Sequence, residues 1–305
     1  MNDLTAIPPG WKHESAAFGV EEVEIRCCDG AVISGHFRDV PNPERGVVII
    51  NPATGVKASF YHRFARFLAD GGYPVLTYDY RGIGASRTVD PQGCSIRWSD
   101  WGTLDFAAAL EFAKARLPDV PILIIGHSIG GFLPGMAPNA ASVSRMLTVG
   151  AQYGWWGAYD VRQRMRLLMK WHLAMPVLTA LFGYLPGRRL GWIEDLPAGV
   201  AYEWAFKRRC AEKNVGRHLR RDFHARFARF HAPITALTIT DDPIGTKEAV
   251  MLGLAYYTSS RTRLLEIDPI EMGLGELGHF GLFHSSNRRL WPNMMDALNG
   301  EGVPS

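Results

Sequence analysis

The 305-residue chain has few cysteines, no long apolar run and no large excess of one charge. Four cysteines do not make a disulfide framework in a chain of this length, and their spacing fits no metal site. The first residues lack a basic start followed by an apolar core, so we expect no secretory signal. No apolar run is long enough to span a bilayer. We therefore expect a cytoplasmic protein with no integral membrane segment, no metal and no other cofactor.

The overall composition is that of an ordinary globular protein. Hydrophobic residues make up 47% and charged residues 21%, which allows a sizeable core. The formal net charge is only +3 and gives no sign of a nucleic-acid partner, so we predict none. The length fits one large domain or a core with an insertion. The sequence makes no prediction about the oligomeric state.

Short apolar segments alternate with segments of helical period along most of the chain. The predicted strands are residues 21–26, 31–38, 46–50, 74–78, 121–125, 144–149, 234–239 and 263–267. The clearest predicted helices are residues 59–69, 101–116 and 288–298. Alternation of this kind predicts an α/β fold with a mainly parallel central sheet flanked by helices. The first two strands should form an antiparallel pair at one edge.

Residues 151–230 interrupt the alternation with several predicted helices and no comparable strand. We expect an inserted helical cap there, over a core formed by residues 1–150 and 231–305. The segment has fifteen Lys and Arg against six Asp and Glu. This basic cap could attract an anionic substrate, a thioester of coenzyme A or an acidic membrane surface. More often, such arginines form a solvated helix face.

Residues 126–131 read Gly-His-Ser-Ile-Gly-Gly and directly follow the apolar run 121–125. A strand, then Gly-x-Ser-x-Gly, then a helix is typical of a tight turn that lifts a serine hydroxyl above a parallel sheet. Glycines are needed because the turn is strained and its backbones pass close together. The prediction places Ser128 as a nucleophile at the start of a helix. The alternative is an ordinary glycine-rich turn.

A serine hydroxyl needs an imidazole base, and the imidazole needs an orienting carboxylate. For a serine in this setting, the acid should follow a later strand and the histidine should come last. Asp241 and Asp242 both follow the strand 234–239. We favour Asp242 because it directly precedes a Pro-Ile pair, whereas Asp241 could simply cap the turn.

The base is predicted at His279, in the glycine-rich loop after the last strand. Flanking glycines allow that loop to bend the imidazole back over the sheet. His284 is the alternative, because it lies in the same part of the chain.

Acyl transfer also needs donors aimed at a developing oxyanion. The N–H of Ile129, next to the nucleophile, is one candidate. The other should come from residues 51–55, after the strand 46–50. Pro52 has no N–H, so Ala53 is the first choice and Thr54 the second.

These motifs together resemble the α/β-hydrolase superfamily, over residues 33–298 apart from the cap. The resemblance rests on Gly126-His127-Ser128-Ile129-Gly130-Gly131, Asp79-Tyr80-Arg81-Gly82-Ile83-Gly84-Ala85-Ser86, Asp242-Pro243-Ile244 and Gly278-His279-Phe280. The loop at 51–55, Asn-Pro-Ala-Thr-Gly, departs from the His-Gly of many relatives. It is closer to the Ala-Leu-Thr-Gly loop of the homoserine O-acetyltransferase group. Serine at 128 argues against the haloalkane dehalogenase and epoxide hydrolase branches.

The resemblance implies a serine esterase that cleaves a carboxylic ester or thioester of a small-molecule acyl substrate. An acyltransferase with the same Ser-His-Asp residues is the second hypothesis, and a non-catalytic binding protein is the third. We expect Thr54, Trp155 and Trp156 in the substrate pocket. Further cap residues could also line it or could simply hold the helices together; these are Trp171, Met165, Met169 and Met175.

Overall fold

The computed structural model describes residues 19–43, 45–88, 90–92 and 94–300. The N-terminal residues that bear on a secretory signal lie outside these ranges. The strands are β1 Val20–Arg26, β2 Val32–Arg38, β3 Val47–Asn51, β4 Val75–Tyr78, β5 Ile122–His127, β6 Val143–Val149, β7 Tyr184–Leu185, β8 Leu196–Pro197, β9 Ile234–Ile239 and β10 Thr262–Ile267. All the strands predicted from the sequence are present among them.

Eight of the described strands form one sheet in the order β1-β2-β4-β3-β5-β6-β9-β10. The β1–β2 and β2–β4 pairs are antiparallel, and every other pair in this sheet is parallel. The predicted α/β class with a mainly parallel sheet is therefore confirmed.

The helices cover both faces of this sheet. The α-helical segments are α1 His62–Asp70, α2 Trp98–Asp100, α3 Phe106–Arg116, α4 Arg164–Leu168, α5 Met175–Phe182, α6 Ala198–Ala205, α7 Arg217–Arg220, α8 Phe223–Ala228, α9 Lys247–Leu254 and α10 Trp291–Asn299. A turn of π-helix joins α2 to α3 and another joins α4 to α5. None of the helices in the described ranges is both long and apolar enough to cross a membrane.

Every residue of β3 and β5 is buried, because helices pack on both sides of these central strands. Successive residues of β3 belong to different cores. Val47 and Ile49 pack with α3, whereas Val48 and Ile50 pack with α1 and α10. The unbroken apolar run in the sequence thus reflects two hydrophobic layers on one strand.

Between β6 and β9 the chain forms α4 to α8 and the short antiparallel pair β7–β8. The continuous helical segment from α4 to α5 carries exposed apolar residues on its outer side. They recur every four residues: Met165, Met169, Leu173, Val177 and Leu181. Met165 and Met169 thus face outward, and Met175 is fully buried.

The prediction of a helix after Ser128 is wrong about the type of helix. The turn is followed by two short 3-10 segments, Ser128–Gly131 and Leu133–Met136, instead of an α-helix. Adjacent glycines at 130 and 131, followed by Pro134, disfavour continuous α-helix here. Ser128 therefore does not lie at the N-terminus of an α-helix.

The glycines flanking the serine are required by close backbone contact. A Cβ at Gly126 would lie 2.4 Å from the Gly131 Cα, and one at Gly130 would lie 2.3 Å from the Asn51 carbonyl oxygen. Both obstacles are backbone atoms, so neither can move aside cheaply. The glycine pattern thus lets the end of β5 pass close to the loop that follows β3.

We expect Gly130→Ala to destabilise the fold by at least about 3 kcal/mol, because the methyl group would overlap the Asn51 carbonyl. Chemical denaturation measures the change. Gly253→Ala in α9 is the matched control: its Cβ would meet its nearest neighbour at 3.5 Å, an ordinary contact. That variant should be neutral or gain up to about 1 kcal/mol in helix propensity. Equal stability of Gly130→Ala and the wild type would contradict the close-contact argument.

Candidate active site

Ser128 lies directly after β5 in a backbone conformation that side chains rarely adopt. Its φ is +55°, one of two positive values recorded for non-glycine residues of the described chain. Strain of this kind is typical of functional positions. The residue is 7% exposed, and its Oγ accepts a hydrogen bond from Gln152 Nε2 at 3.3 Å. The turn thus presents a single hydroxyl at the carboxyl edge of the sheet.

Asp242 and His279 form a buried pair beside this edge. The Nδ1 of His279 lies 2.6 Å from Asp242 Oδ2, while Asp242 Oδ1 accepts the N–H groups of Ile244 and Gly245, both at 2.8 Å. Burial alone would raise the pKa of Asp242, but the charge and hydrogen bond of His279 and the two backbone donors outweigh it and lower the pKa. Asp242 is therefore held as a carboxylate.

The two adjacent aspartates have different partners. Asp241 accepts the N–H groups of Leu277 at 2.8 Å and Gly278 at 2.9 Å, so it holds the backbone of the loop that carries His279. Asp242 instead contacts the imidazole itself. The alternative base, His284, is exposed and bonds the Ser286 hydroxyl at 2.8 Å.

A chain of hydrogen bonds joins the loop after β3 to the His279 backbone. The Ala53 N–H donates to Tyr61 Oη at 3.0 Å, and Tyr61 Oη lies 2.7 Å from His127 Nδ1. The His127 Nε2 lies 2.8 Å from the His279 carbonyl oxygen. Burial, with the nearby charge of His279, lowers the pKa of His127 to about 3, so this ring is neutral. It therefore accepts from Tyr61 and donates to the carbonyl.

This chain bears on the two candidate oxyanion donors. The Ala53 N–H, our first choice, is already satisfied by Tyr61 and would have to share its hydrogen with an oxyanion. Thr54, the second choice, is half-buried and lines the same cavity as Ile129 and Ser128. Because the Ala53 N–H already donates to Tyr61, Thr54 is the favoured second oxyanion donor.

One cavity of about 220 Å³ brings the predicted residues together. Its lining includes Ser128, His279, Ile129, Ala53 and Thr54. Asp242 lies behind His279, outside the lining. Residues that lie far apart in sequence therefore share one cavity.

The prediction of Trp155 and Trp156 in the pocket is wrong. Gly154 lines the cavity with a φ of +85°, and the chain then turns outward. Trp156 is 40% exposed, and the Trp155 ring lies under Arg209, 5.7 Å from its guanidinium carbon. The aromatic lining comes from other parts of the inserted segment, namely Trp171, Trp192 and Trp204. Trp171 was among the additional candidates.

Two buried polar side chains of the cavity were not predicted. Gln152 lies three residues beyond the end of β6, and functional groups of parallel sheets gather at such strand ends. That rule could have identified it. Lys207 follows α6 inside a run of charged residues and has no signal of this kind. The described residues contain no cluster of His, Cys, Asp and Glu suited to a metal ion.

Comparison with known proteins agrees with this geometry. A family model described as serine aminopeptidase, S33, matches residues 42–187, which include Ser128. The fold also matches a soluble variant of monoglyceride lipase from Saccharomyces cerevisiae with a TM-score of 0.63 and 15% identity, over 98% of this chain and 100% of that chain. The chain therefore has the α/β-hydrolase fold, and residues 42–187 match a family of serine hydrolases. The earlier resemblance is therefore confirmed.

Two further similar proteins extend the comparison. An esterase of Pyrococcus furiosus, Pf2001, aligns with a TM-score of 0.57 and 16% identity, over 96% of this chain and 95% of that one. At such identities the likeness describes the fold alone. Human protein ABHD12B is 38% identical over 86 residues, 28% of this chain. The matched segment spans 21% of the length of that protein, and the segment matched in a second curated relative spans 25% of its length.

Proposed function

We propose that this chain is a serine hydrolase that cleaves a carboxylic ester or thioester through an acyl-enzyme. The observation that carries the proposal is the shared cavity. A strained serine and an imidazole bound to a buried carboxylate line it together, with Nδ1 and Oδ2 2.6 Å apart. An imidazole oriented in this way is what a serine hydroxyl needs to become a nucleophile.

In the first stage, His279 Nε2 takes the proton of Ser128 as Oγ attacks the substrate carbonyl carbon. The N–H of Ile129 and an N–H of the 53–54 loop stabilise the oxyanion. Collapse of the tetrahedral intermediate breaks the ester bond, and the imidazolium returns its proton to the leaving alcohol or thiol. Ser128 Oγ then carries the acyl group.

In the second stage, water takes the place of the alcohol. His279 removes a proton from water as the oxygen attacks the acyl carbon, and the acid leaves as Ser128 regains its proton. Asp242 keeps the Nδ1 proton on the ring and stabilises the imidazolium in both stages. We further propose that residues 151–230 act as a cap, because Lys170, Trp171 and Lys207 from this segment line the cavity.

The test is covalent labelling of the full-length protein with a fluorophosphonate, followed by assays with p-nitrophenyl esters and acyl thioesters of varied chain length. We expect one label per chain, located on Ser128 by peptide mass, and turnover of short acyl groups because the cavity is small. Ser128→Ala serves as the blank for both measurements. Absence of labelling together with absence of turnover would overturn the proposal.

The acyltransferase hypothesis predicts that the acyl-enzyme reacts mainly with an alcohol or amine acceptor instead of with water. Added alcohol or amine would then shorten the lifetime of the acyl-enzyme far more than water does. Release of free acid as the main product at all acceptor concentrations supports hydrolysis. The esterase and lipase neighbours favour that outcome.

A further inference from the structure

Lys207 is the most unusual charged residue of the cavity. It is 7% exposed, and it lines the same cavity as Ser128 and His279. Its Nζ lies 4.6 Å from the centroid of the Trp98 ring and 6.0 Å from that of Tyr153. A buried ammonium group normally has a carboxylate partner, since leaving it unpaired costs several kcal/mol.

No carboxylate in the described ranges forms an ion pair with Lys207. Glu203 is the acidic residue whose charge acts on Lys207, but its recorded contacts are with other residues. Its Oε2 accepts the backbone N–H of Trp98 at 3.0 Å, and its Oε1, which has no hydrogen bond, lies 3.8 Å from the Arg97 guanidinium. Burial lowers the pKa of the Lys207 amine to about 7, although Glu203 acts in the opposite direction. The amine is thus largely buried, has no recorded ion pair and lines the cavity.

The other two permanently charged side chains of the cavity lining are also basic. Arg166 and Lys170, one helical turn apart, also line it, and its described lining contains no acidic side chain. The Lys170 amine lies over the rings of Trp171 and Trp192, at 4.3 and 4.6 Å from their centroids. A site lined by three basic side chains and no acidic one is complementary to an anion.

We propose that Lys207 binds a carboxylate carried by the substrate, so that the preferred substrate is a small ester or thioester with an anionic group. This inference rests on the proposed hydrolase function and names its substrate class. The carboxylate can belong to the acyl part or to the alcohol part of the ester. In either case it replaces the missing partner of the buried amine.

The experiment compares esters of similar size that differ in charge. Monomethyl adipate against methyl hexanoate tests the acyl side, and O-butanoyl glycolate against propyl butanoate tests the alcohol side. Proton release at neutral pH measures kcat/KM for each. We expect the anionic ester to be preferred by about 10- to 100-fold in at least one pair, as for a charge-assisted hydrogen bond. Lys207→Met should abolish that preference.

Two further measurements separate binding from folding. Lys213→Met removes an exposed lysine of the same inserted segment and should keep the wild-type preference. Glutarate should raise the Tm of the wild type but not that of Lys207→Met. The variant itself should have a higher Tm than the wild type, because a buried amine is replaced by an apolar side chain of similar length.

The outcomes distinguish the two proposals. An equal or greater preference for the neutral ester in both pairs, or a preference that survives in Lys207→Met, would overturn the carboxylate site. Failure of the wild type to cleave any ester and to react with a fluorophosphonate would overturn the hydrolase function. In that case the glutarate shift alone would decide whether Lys207 binds a carboxylate.

Discussion

Replacing Ser128 by alanine is expected to lower kcat by at least about 10⁴-fold, because the nucleophile of both stages is lost. The backbone of the turn should be unchanged, since Ser128 makes one recorded side-chain hydrogen bond, with Gln152. Steady-state kinetics on the best p-nitrophenyl ester, with denaturation curves alongside, measure activity and stability on the same preparations.

Ser128→Gly provides the matched variant. Both substitutions remove the hydroxyl, but only glycine adopts a φ of +55° without strain. Ser128→Gly should therefore be more stable than Ser128→Ala by about 0.5–1 kcal/mol while being equally inactive. Residual turnover close to the wild type in either variant would remove Ser128 from the mechanism. Equal stability of the two would show that the turn is not strained.

The chain order of the site could be predicted because strand ends converge in a parallel sheet. The runs 121–125 and 234–239 are apolar enough to be recognised as buried strands, so Ser128 and Asp242 had to emerge at the same edge. The choice between Asp241 and Asp242 rested on a pattern. In the structure, Asp241 binds the backbone of the loop and Asp242 binds the imidazole of His279.

The interior of the cavity could not be predicted in the same way. Its tryptophans come from a segment whose helices are short and joined by glycine and proline turns, so no single periodicity says which face points inward. Trp155 and Trp156 were chosen as tryptophans of the inserted segment, but Trp156 is exposed and neither residue lines the cavity. Lys207 was missed for a related reason: neighbouring arginines make its charge look like part of a solvated surface.

The segment after Ser128 shows what the motif alone could not predict. The Gly-x-Ser-x-Gly motif predicted a turn, and the turn is present. A following α-helix was inferred from the same motif, although glycine and proline at 130–135 disfavour one. Local propensity was the better guide at this point, so Ser128 does not lie at the start of an α-helix.

Asp242→Asn is expected to lower kcat by about 10³- to 10⁴-fold without unfolding the protein. The reason lies in the contacts of the carboxylate. Its Oδ1 accepts two backbone N–H groups at 2.8 Å, so the oxygen of an asparagine amide must occupy that position. The amide NH₂ then faces His279 Nδ1. This nitrogen becomes an acceptor, which places the ring proton on Nε2 and leaves no base for Ser128.

The pH dependence follows from the ionisation of the carboxylate. The pKa of Asp242 lies below its ordinary value, so the wild-type group is charged at neutral and alkaline pH. The loss in Asp242→Asn should therefore persist at every pH from about 6 to 9, because no proton on Asp242 is exchanged in that range. A loss that vanished at high or low pH would contradict the tautomer argument.

Asp241→Asn is the control that the chain itself offers. The neighbouring carboxylate accepts the N–H groups of Leu277 and Gly278 through its two oxygens, so an amide can keep only one of these bonds. We expect about 1–2 kcal/mol of lost stability and a fall in kcat of at most about tenfold, because the imidazole keeps its own carboxylate. If Asp241→Asn were as inactive as Asp242→Asn, loop position and not the tautomer of His279 would control turnover.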